Sequence, residues 1–494
     1  MEIQGKKITV VGLGRSGIGA ANLLSELGAD VTVTDRKPEE ELTDFREKLK
    51  PSIRLSLGSH PEDLFISADM IVISPGVPLS VLPLSKVKGK GIPIIGELEL
   101  AYQIASNQAL RFDSEGSVAS FLAVTGTNGK STTTTLLNAM LRKGGFRTIL
   151  GGNIGNALTE EIYKRLGDSG TRRLGEVTVS PTRRVAGSDI GIDYIVVEVS
   201  SFQLESIQDF RPKGAVILNI TPDHLDRYHS LEEYSEAKAR IFENQRGEDF
   251  LLLNADDPET VKVAKEQIKG KREKPGIFYF SRKKEVEGIY FKDGRIYCNF
   301  PGMSLVTHHS LLIHADEIKI KGVHNLENAM AASAMALLAG SSLESIKDSL
   351  REFPGLEHRL EFVREKDGVR YVNDSKGTNV GAVVKSLESF NEPIILIAGG
   401  RDKAGDFSPL RNLVKERVKA IVLIGEAREK IKKSLGDLTE TAMAKDMEEA
   451  VLISRSIAVK GDVVLLSPAC ASFDMFMDFE DRGRQFKKIV MELA

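Results

Sequence analysis

The chain has 494 residues, enough for about three domains of ordinary size. A formal net charge of -3 removes any general electrostatic case for nucleic acid or an anionic membrane surface, and no apolar run approaches the roughly 20 residues that span a bilayer. Two cysteines, Cys298 and Cys470, make no disulfide framework. They suggest a reducing compartment, and without a signal-peptide core the expectation is a cytoplasmic protein.

The first segment alternates short aliphatic strands with helices: "KITVVGLG", "DVTVTDR", "DMIVISPG" and "IPIIGE". Strict alternation of this kind implies a parallel sheet with crossover helices. Directly after the first strand, "GLGRSG" places Gly12, Gly14 and Gly17 in a G-x-G-x-x-G spacing that opens a helix. The glycines allow a tight turn and close backbone approach, and a helix N-terminus favours phosphate. Asp35 closes the next strand at the spacing of a ribose-binding acid. Alone, this fits a dinucleotide site, a site for any nucleoside diphosphate, or mere tight packing. The unit ends where "NQALRFDSEG" (107–116) turns polar.

A second α/β segment starts at "SVASFLAVTGTNGKS" and continues through "YIVVEVSS", "GAVILNIT" and "FLLLNADD". The stretch "TGTNGKST" lacks the first glycine of the usual phosphate-loop pattern, because Val124 stands there and finishes the strand instead. Gly126 and Gly129 permit a loop whose amides face phosphate oxygens. Lys130 would reach the β- and γ-phosphates, and the Ser131 or Thr132 hydroxyl would meet Mg²⁺. The bland alternative is a glycine-rich turn capped by Ser131. A strand before, a helix after and the ordered G-K-S-T favour nucleotide.

Glu198 ends the buried strand of "YIVVEVSSFQLE", where a carboxylate is costly unless it meets a cation. It is either a Mg²⁺ ligand or a salt-bridged structural glutamate. In "ILNITPDHLDRYHSLEEYSEAKARIF" a strand ends at Asn219 or Ile220, and His224, Asp226 and Arg227 follow in a loop. A helix then begins near Ser230, with Glu233 completing a capping box. Its apolar stripe of Leu231, Tyr234 and Ile241 includes Lys238. An inward lysine would be pushed toward its neutral form, able to take up CO₂ as a carbamate, whereas a snorkelling one would stay charged in solvent.

Two stretches read as insertions. Residues 164–189 carry Arg172, Arg173, Arg183 and Arg184 among small polar residues, as a solvated loop would. Residues 280–315 alternate like short β-hairpins, with His308, His309 and His314 lacking the companions of a metal site. The third α/β segment begins near "FPGLEHRLE" and carries "IILIAGG", "AIVLIGE" and "VVLLSPA". Three strand ends hold reactive groups: Asp374, Ser375, Lys376 and Thr378; Lys403; and the "SPACASFDMFMDFEDRG" run. Together they favour a substrate domain.

In this order, "GLGRSG", "SPGV", "TGTNGKST", "GGNIG", "EVSSFQLE", "DHLDRY" with "EAKARI", "GVHNLENAMAA", "GLEHRLE", "NDSKGTN", "GGRDK" and "SPACASFDMF" resemble the ATP-dependent Mur ligases of peptidoglycan synthesis over nearly the whole chain. The resemblance implies an α/β fold of three domains. These are a Rossmann-like domain for the UDP substrate (1–109), a central P-loop ATPase-type parallel sheet (110–355) and a Rossmann-like amino-acid domain (356–494).

It further implies that Gly126, Thr127, Asn128, Gly129, Lys130, Ser131 and Thr132 hold ATP, joined by Asn328, Arg359, Asp374 and Lys376. Ser131, Glu198, His224 and a carbamylated Lys238 would hold two Mg²⁺ ions, with Lys130, Glu198, His224 and Lys238 as the catalytic set. Gly14, Arg15, Ser16, Asp35, Arg36, Ser74, Pro75, Gly76, Asn153, Ser201 and Gln203 would bind the UDP substrate. Lys403, Ser472, Phe473 and Phe479 would bind glutamate. The motifs match the glutamate-adding branch best. The implied reaction is ATP-dependent addition of D-glutamate to UDP-N-acetylmuramoyl-L-alanine through an acyl phosphate, by a monomer needing neither nucleic acid nor membrane. A nicotinamide oxidoreductase would leave "TGTNGKST" and the Glu–His–Lys set unexplained. A folylpolyglutamate synthase would leave the N-terminal "GLGRSG" unit unexplained.

Overall fold

The computed structural model describes residues 2–78, 87, 90–106, 119–168, 191–224, 227–302, 309–402 and 405–493. Lys403, Asp226, the arginine pairs of the 164–189 insertion and the polar stretch 107–116 lie outside the described residues. The chain forms two compact units. The first comprises Met1–Ile220, Ser230–Leu312 and Met330–Ser349; the second comprises Thr221–His229, Ile313–Ala329 and Leu350–Ala494. Among the described residues no helix is long and apolar enough to cross a membrane.

The first unit holds two sheets. In the N-terminal one, β1 (Lys7–Val11), β2 (Asp30–Asp35), β3 (Arg54–Leu57), β4 (Met70–Ile73) and β5 (Ile94–Gly96) pair in the order β3-β2-β1-β4-β5, all parallel. The central sheet contains β6 (Ser120–Thr125), β7 (Thr148–Gly152), β8 (Tyr194–Glu198), β9 (Gly214–Ile217), β10 (Phe250–Asn254), β11 (Gly276–Ser281), β12 (Gly288–Lys292), β13 (Arg295–Asn299) and β14 (Ser310–His314). Their order is β14-β13-β12-β11-β10-β9-β6-β8-β7. The strands from β7 to β12 are parallel and β12–β13 is an antiparallel hairpin, as the alternation of residues 280–315 suggests. Val124 lies inside β6, fully buried, which explains why no glycine is needed there.

Two buried carboxylates on the helix Glu97–Ala105 tie the sheets together. Glu99 accepts the backbone N–H groups of Gln208, Asp209 and Phe210 at 2.9–3.0 Å. Glu97 accepts from the Thr159 backbone and hydroxyl at 2.7 and 2.8 Å, at the start of the helix Leu158–Asp168. The helix Arg15–Glu26 crosses the same place, where a Cβ on Gly19 would sit 2.7 Å from the Thr159 hydroxyl. Two sheets expected as separate domains therefore share one compact unit.

The second unit is built on one sheet, in the order β15-β16-β20-β17-β18-β19. Its strands are β15 (Glu361–Lys366), β16 (Val369–Asn373), β17 (Ile394–Gly399), β18 (Val418–Ile424), β19 (Glu440–Met443) and β20 (Val463–Leu466). Only β15 runs antiparallel to its neighbour. The continuous aliphatic runs are explained by burial on both faces. Ile394, Leu396 and Ala398 enter one core, while Ile395 and Ile397 enter the other.

Glu99→Ala leaves three buried amide donors without an acceptor, so urea unfolding should show a loss of about 2–4 kcal/mol in the first unit, with Glu99→Gln recovering part of it.

Candidate active site

The phosphate loop leaves the end of β6 and enters the helix Lys130–Lys143. Gly129 caps that helix at φ 84°, and Gly126 sits at φ 151°, where a Cβ would lie 2.9 Å from the Leu218 side chain. Both glycines are therefore favoured by backbone shape, and Gly126 by space as well. Asn219, past the end of β9, clamps the loop. Its side chain takes the Asn128 N–H at 2.8 Å and donates to the Asn128 carbonyl at 3.1 Å, and its own carbonyl takes the Thr127 N–H at 2.9 Å. The Lys130 ammonium folds over the loop, 3.0 Å from the carbonyls of both Gly126 and Thr127. Ser131 and Thr132 are buried in the first turn of the helix.

Glu198 ends β8, in register with Val124 of β6 and Gly152 of β7. It is 2% exposed. One carboxylate oxygen takes the Asn153 amide at 2.8 Å; the other is buried with no hydrogen-bond partner among the described residues. Such an orphan oxygen is costly unless a cation meets it. Asn153, expected at the substrate, thus has its side-chain nitrogen on Glu198. Ser201 opens the short helix Ser201–Leu204, and the Gln203 carbonyl oxygen accepts from the Ser200 backbone in a capping box.

Lys238 does not snorkel. It is 1% exposed, with its ammonium 3.0 Å from the Gly126 carbonyl and 4.5 Å from the Tyr234 ring centre. The helix Leu231–Ala239 starts as expected, with the Ser230 hydroxyl accepting the Glu233 N–H, and Tyr234 and Ile241 are buried on the same stripe. Tyr234 also reaches the Thr127 hydroxyl, at 3.4 Å. Phosphate loop and inward lysine are therefore in direct contact. Among the described residues, no three His, Cys, Asp or Glu side chains cluster as a metal would require.

In the N-terminal sheet the Asp35 carboxylate takes the N–H groups of Leu13 and Lys37, at 2.7 and 3.0 Å. The Ser74 hydroxyl donates to the Gly12 carbonyl at 3.0 Å, and a Cβ on Gly17 would strike that same carbonyl at 1.9 Å. Ser74, Pro75 and Gly76 thus border the turn that opens the helix Arg15–Glu26, which Gly14 starts without a side-chain cap. Arg15 reaches the Gly155 carbonyl at 3.4 Å, and Arg36 is near enough to help lower the pKa of His60, after burial.

The second unit brings together most of the remaining residues. His224 adopts a left-handed φ of 54°, with Nε2 3.8 Å from the Asp223 carboxylate. Arg359 lies between His358 (φ 63°) and Leu360 (φ 42°), a strained turn of the kind that persists at functional sites. Asp374 is buried; its carboxylate takes the hydroxyls of Ser386 and Ser467 at 2.6 and 2.7 Å and the Leu360 N–H at 3.3 Å. Burial pushes this carboxyl up to about 6, against those hydroxyls and the charge of Arg359. The Lys376 ammonium stands 3.7 Å from the Phe479 ring centre, so residues assigned separately to nucleotide and to glutamate touch. Ser472 is buried and Phe473 is 63% exposed. Asn328 is buried and donates to Asn325 at 3.3 Å.

Reading the sequence alone misses the groups that hold these loops. Asn219, Tyr234 and Glu97 act in the first unit. In the second, the fully buried Arg482 donates to the Ser375 hydroxyl and carbonyl, at 2.9 and 2.8 Å, and to the carbonyls of Cys470 and Ala471. The one available signal is its inward spacing with Phe486 and Val490 on the helix Phe479–Glu492.

The architecture, an N-terminal parallel sheet, a phosphate-loop sheet and a second α/β sheet, together with this site, defines a class. A model of the Mur ligase middle domain matches residues 124–336, the Mur ligase MurD-like N-terminal domain matches 6–96, and the Mur ligase glutamate ligase domain matches 358–470. The chain belongs to the Mur ligase family. It is 46% identical to the UDP-N-acetylmuramoylalanine–D-glutamate ligase of Geotalea daltonii, over 100% of this chain and 99% of that one. It is 43% identical to the enzyme of the same name from Pelotomaculum thermopropionicum, over 99% and 98%. Among solved structures, UDP-N-acetylmuramate-alanine ligase MurC from Thermotoga maritima superimposes with a TM-score of 0.57 at 20% identity, covering 98% of this chain and 99% of that one. MurF ligase from the same organism, in complex with ADP, gives 0.57 at 15% identity, covering 100% and 99%. These two distant likenesses bear on the fold.

Because Asp374 holds its proton more tightly in the fold than a free carboxyl near about 3.9 does, its favourable contribution is full below about pH 4 and lost as pH rises through about 6. Asp374→Asn, which cannot ionise, should therefore gain on wild type by on the order of 2 kcal/mol between pH 4 and 7 in denaturant unfolding. A difference that does not change with pH would contradict this.

Proposed function

We propose that this protein is an ATP-dependent ligase that joins D-glutamate to UDP-N-acetylmuramoyl-L-alanine, a cytoplasmic step of peptidoglycan synthesis. The observation that carries the reading is a phosphate loop flanked by the half-satisfied carboxylate of Glu198 and the buried Lys238, in a chain whose full-length relatives bear that activity in their names. The matched segments support domain limits near residues 109 and 355.

A carboxylate and an amine do not condense in water because oxide is a poor leaving group. Transfer of the γ-phosphoryl group to the substrate carboxylate replaces oxide with phosphate as leaving group. The glutamate amine then attacks the carbonyl carbon: the C–N bond forms, the C–O bond to phosphate breaks, and a proton leaves the nitrogen. In this scheme Gly126–Thr132 cradle the triphosphate through backbone amides, and Lys130 faces the β- and γ-phosphates. Asn328, Arg359, Asp374 and Lys376 hold the nucleotide. Gly14, Arg15, Ser16, Asp35, Arg36, Ser74, Pro75, Gly76, Asn153, Ser201 and Gln203 serve the UDP substrate, and Lys403, Ser472, Phe473 and Phe479 serve glutamate.

The orphan oxygen of Glu198 fits a divalent cation, as does the oxygen-rich first turn at Ser131. Ser131, Glu198, His224 and carbamylated Lys238 would hold magnesium, which supplies charge neutralisation for the phosphoryl group. Carbamylation needs Lys238 as the neutral amine. Its nitrogen bonds to the carbon of CO₂ and loses a proton, giving an anion where the structure has a cation in contact with Gly126.

The deciding measurement is phosphate release from ATP with UDP-N-acetylmuramoyl-L-alanine and Mg²⁺. Release is expected to depend on D-glutamate and to be far slower with L-glutamate or none; release indifferent to the amino acid would overturn the assignment. Lys238→Ala should lose activity by at least about 100-fold, as expected when a group acting on phosphoryl charge is removed. Bicarbonate should not restore that loss, whereas small carboxylates should restore part of it.

A further inference from the structure

We propose that Glu97 is a positioning residue for the carboxylate of Glu198, acting across the joint between the two sheets through Thr159 and the 151–157 loop. The inference rests on the reading of Glu198 as a cation ligand given above.

Glu97 is the first residue after β5, so it is fixed to the N-terminal sheet, whose Gly96 N–H bonds the Ser206 carbonyl at 3.2 Å. Its side chain crosses to the central sheet and takes both donors of Thr159, itself wholly buried. Thr159 lies in the first turn of the helix Leu158–Asp168, and the loop before that helix carries Asn153. Asn153 is doubly joined to Glu198: its backbone N–H reaches the Glu198 carbonyl at 2.9 Å, and its amide nitrogen reaches one carboxylate oxygen at 2.8 Å. At the base of the loop the backbone runs so close to Glu198 that a Cβ on Gly152 would lie 2.4 Å from the Glu198 carbonyl oxygen. The other end of the loop is held by Arg15, from the first helix of the N-terminal sheet, at the Gly155 carbonyl.

Two buried hydrogen bonds at Thr159, the partly exposed 152–156 loop and the two bonds from Asn153 thus lead from the sheet assigned to the UDP substrate to Glu198, whose other oxygen has no hydrogen-bond partner among the described residues. Only one oxygen of Glu97 takes part; the other is buried and has no hydrogen-bond partner among the described residues. Burial also pushes the Glu97 carboxyl up, against the bonds from Thr159 and Leu158, so an uncharged amide should serve in its place.

The test uses the full chain with Mn²⁺ as probe, bound in the presence of a non-hydrolysable ATP analogue and followed by electron paramagnetic resonance. It is paired with the Mg²⁺ concentration for half-maximal phosphate release and the KM for D-glutamate. Glu97→Ala should weaken Mn²⁺ binding and raise the Mg²⁺ requirement by about 10-fold, the usual scale for losing an outer-shell partner. The KM for D-glutamate should stay within about 2-fold, since that subsite lies elsewhere. Glu97→Gln, whose amide oxygen still accepts from Thr159, should return both to within about 3-fold of wild type. Thr159→Val, which removes one of the two bonds, should fall between.

Wild-type Mn²⁺ affinity in a folded Glu97→Ala protein, or a Gln variant as impaired as the Ala one, would overturn the proposal. If Glu97→Ala does not fold, unchanged Mn²⁺ affinity in Thr159→Val overturns it equally. The underlying reading fails separately: Glu198→Gln that still binds Mn²⁺ at wild-type strength would remove Glu198 as the ligand, whatever Glu97 does.

Discussion

A charge taken out of water must be met by donors or by an opposite charge, and each functional region of this protein is organised around one such debt. Glu97, Glu99 and Glu198 are buried in the first unit with Lys238, and Asp374 and Arg482 in the second. Their solutions differ. Glu99 is fully met by three backbone amides and only holds structure together. Glu198 is half met: one oxygen takes the Asn153 amide and the other has no hydrogen-bond partner among the described residues. Asp374 is met by hydroxyls and still binds its proton unusually tightly. Glu97 shares with Glu198 one oxygen left without a hydrogen-bond partner among the described residues, so an unmet buried oxygen stands both at the joint between the two sheets and at the end of β8.

The same constraint explains what could be read from the sequence. Strand runs, the phosphate loop and its missing glycine follow from local rules: Val124 needs no glycine because it is still inside β6, whereas backbone shape calls for glycine at Gly126 and Gly129, and at Gly126 the nearness of Leu218 adds to it. Lys238 is different. Its position on an apolar stripe leaves snorkelling and burial both open, and only packing against Tyr234 and the Gly126 carbonyl decides between them. Asn219, Thr159 and Arg482 are illegible for the same reason. Each acts on a group far away in the chain, and only Arg482, spaced four residues before Phe486 on its helix, carries a local periodicity. Asp35 and Asn153 show the converse, since their motif positions are legible while their hydrogen bonds to Leu13 and Glu198 are not.

Composition marks a polar break near residues 107–116, and the resemblance separates an N-terminal domain there. Yet the N-terminal and central sheets lie in one compact unit: the helix after β5 sends its first residue to Thr159 and its third to the 208–210 loop, and Gly19 lets two helices meet at Thr159. Burial of a glutamate against backbone amides leaves no hydropathy signature, so a boundary that is real in composition is bridged in space.

Arg482 has a consequence for how the protein comes to exist. It stands on the helix Phe479–Glu492 and braces the Ser375 loop against the Cys470–Ala471 loop, which the Ala469 N–H also ties directly to the Gly377 carbonyl at 2.8 Å. During synthesis the strands β16, β17 and β20 emerge well before it. The two loops that β16 and β20 carry have their direct contact before the helix Phe479–Glu492 is made, and gain the arginine brace only afterwards. A chain that stops before Arg482 therefore has every strand of the second unit's sheet and the direct ties between these two loops, and lacks the brace that fixes them.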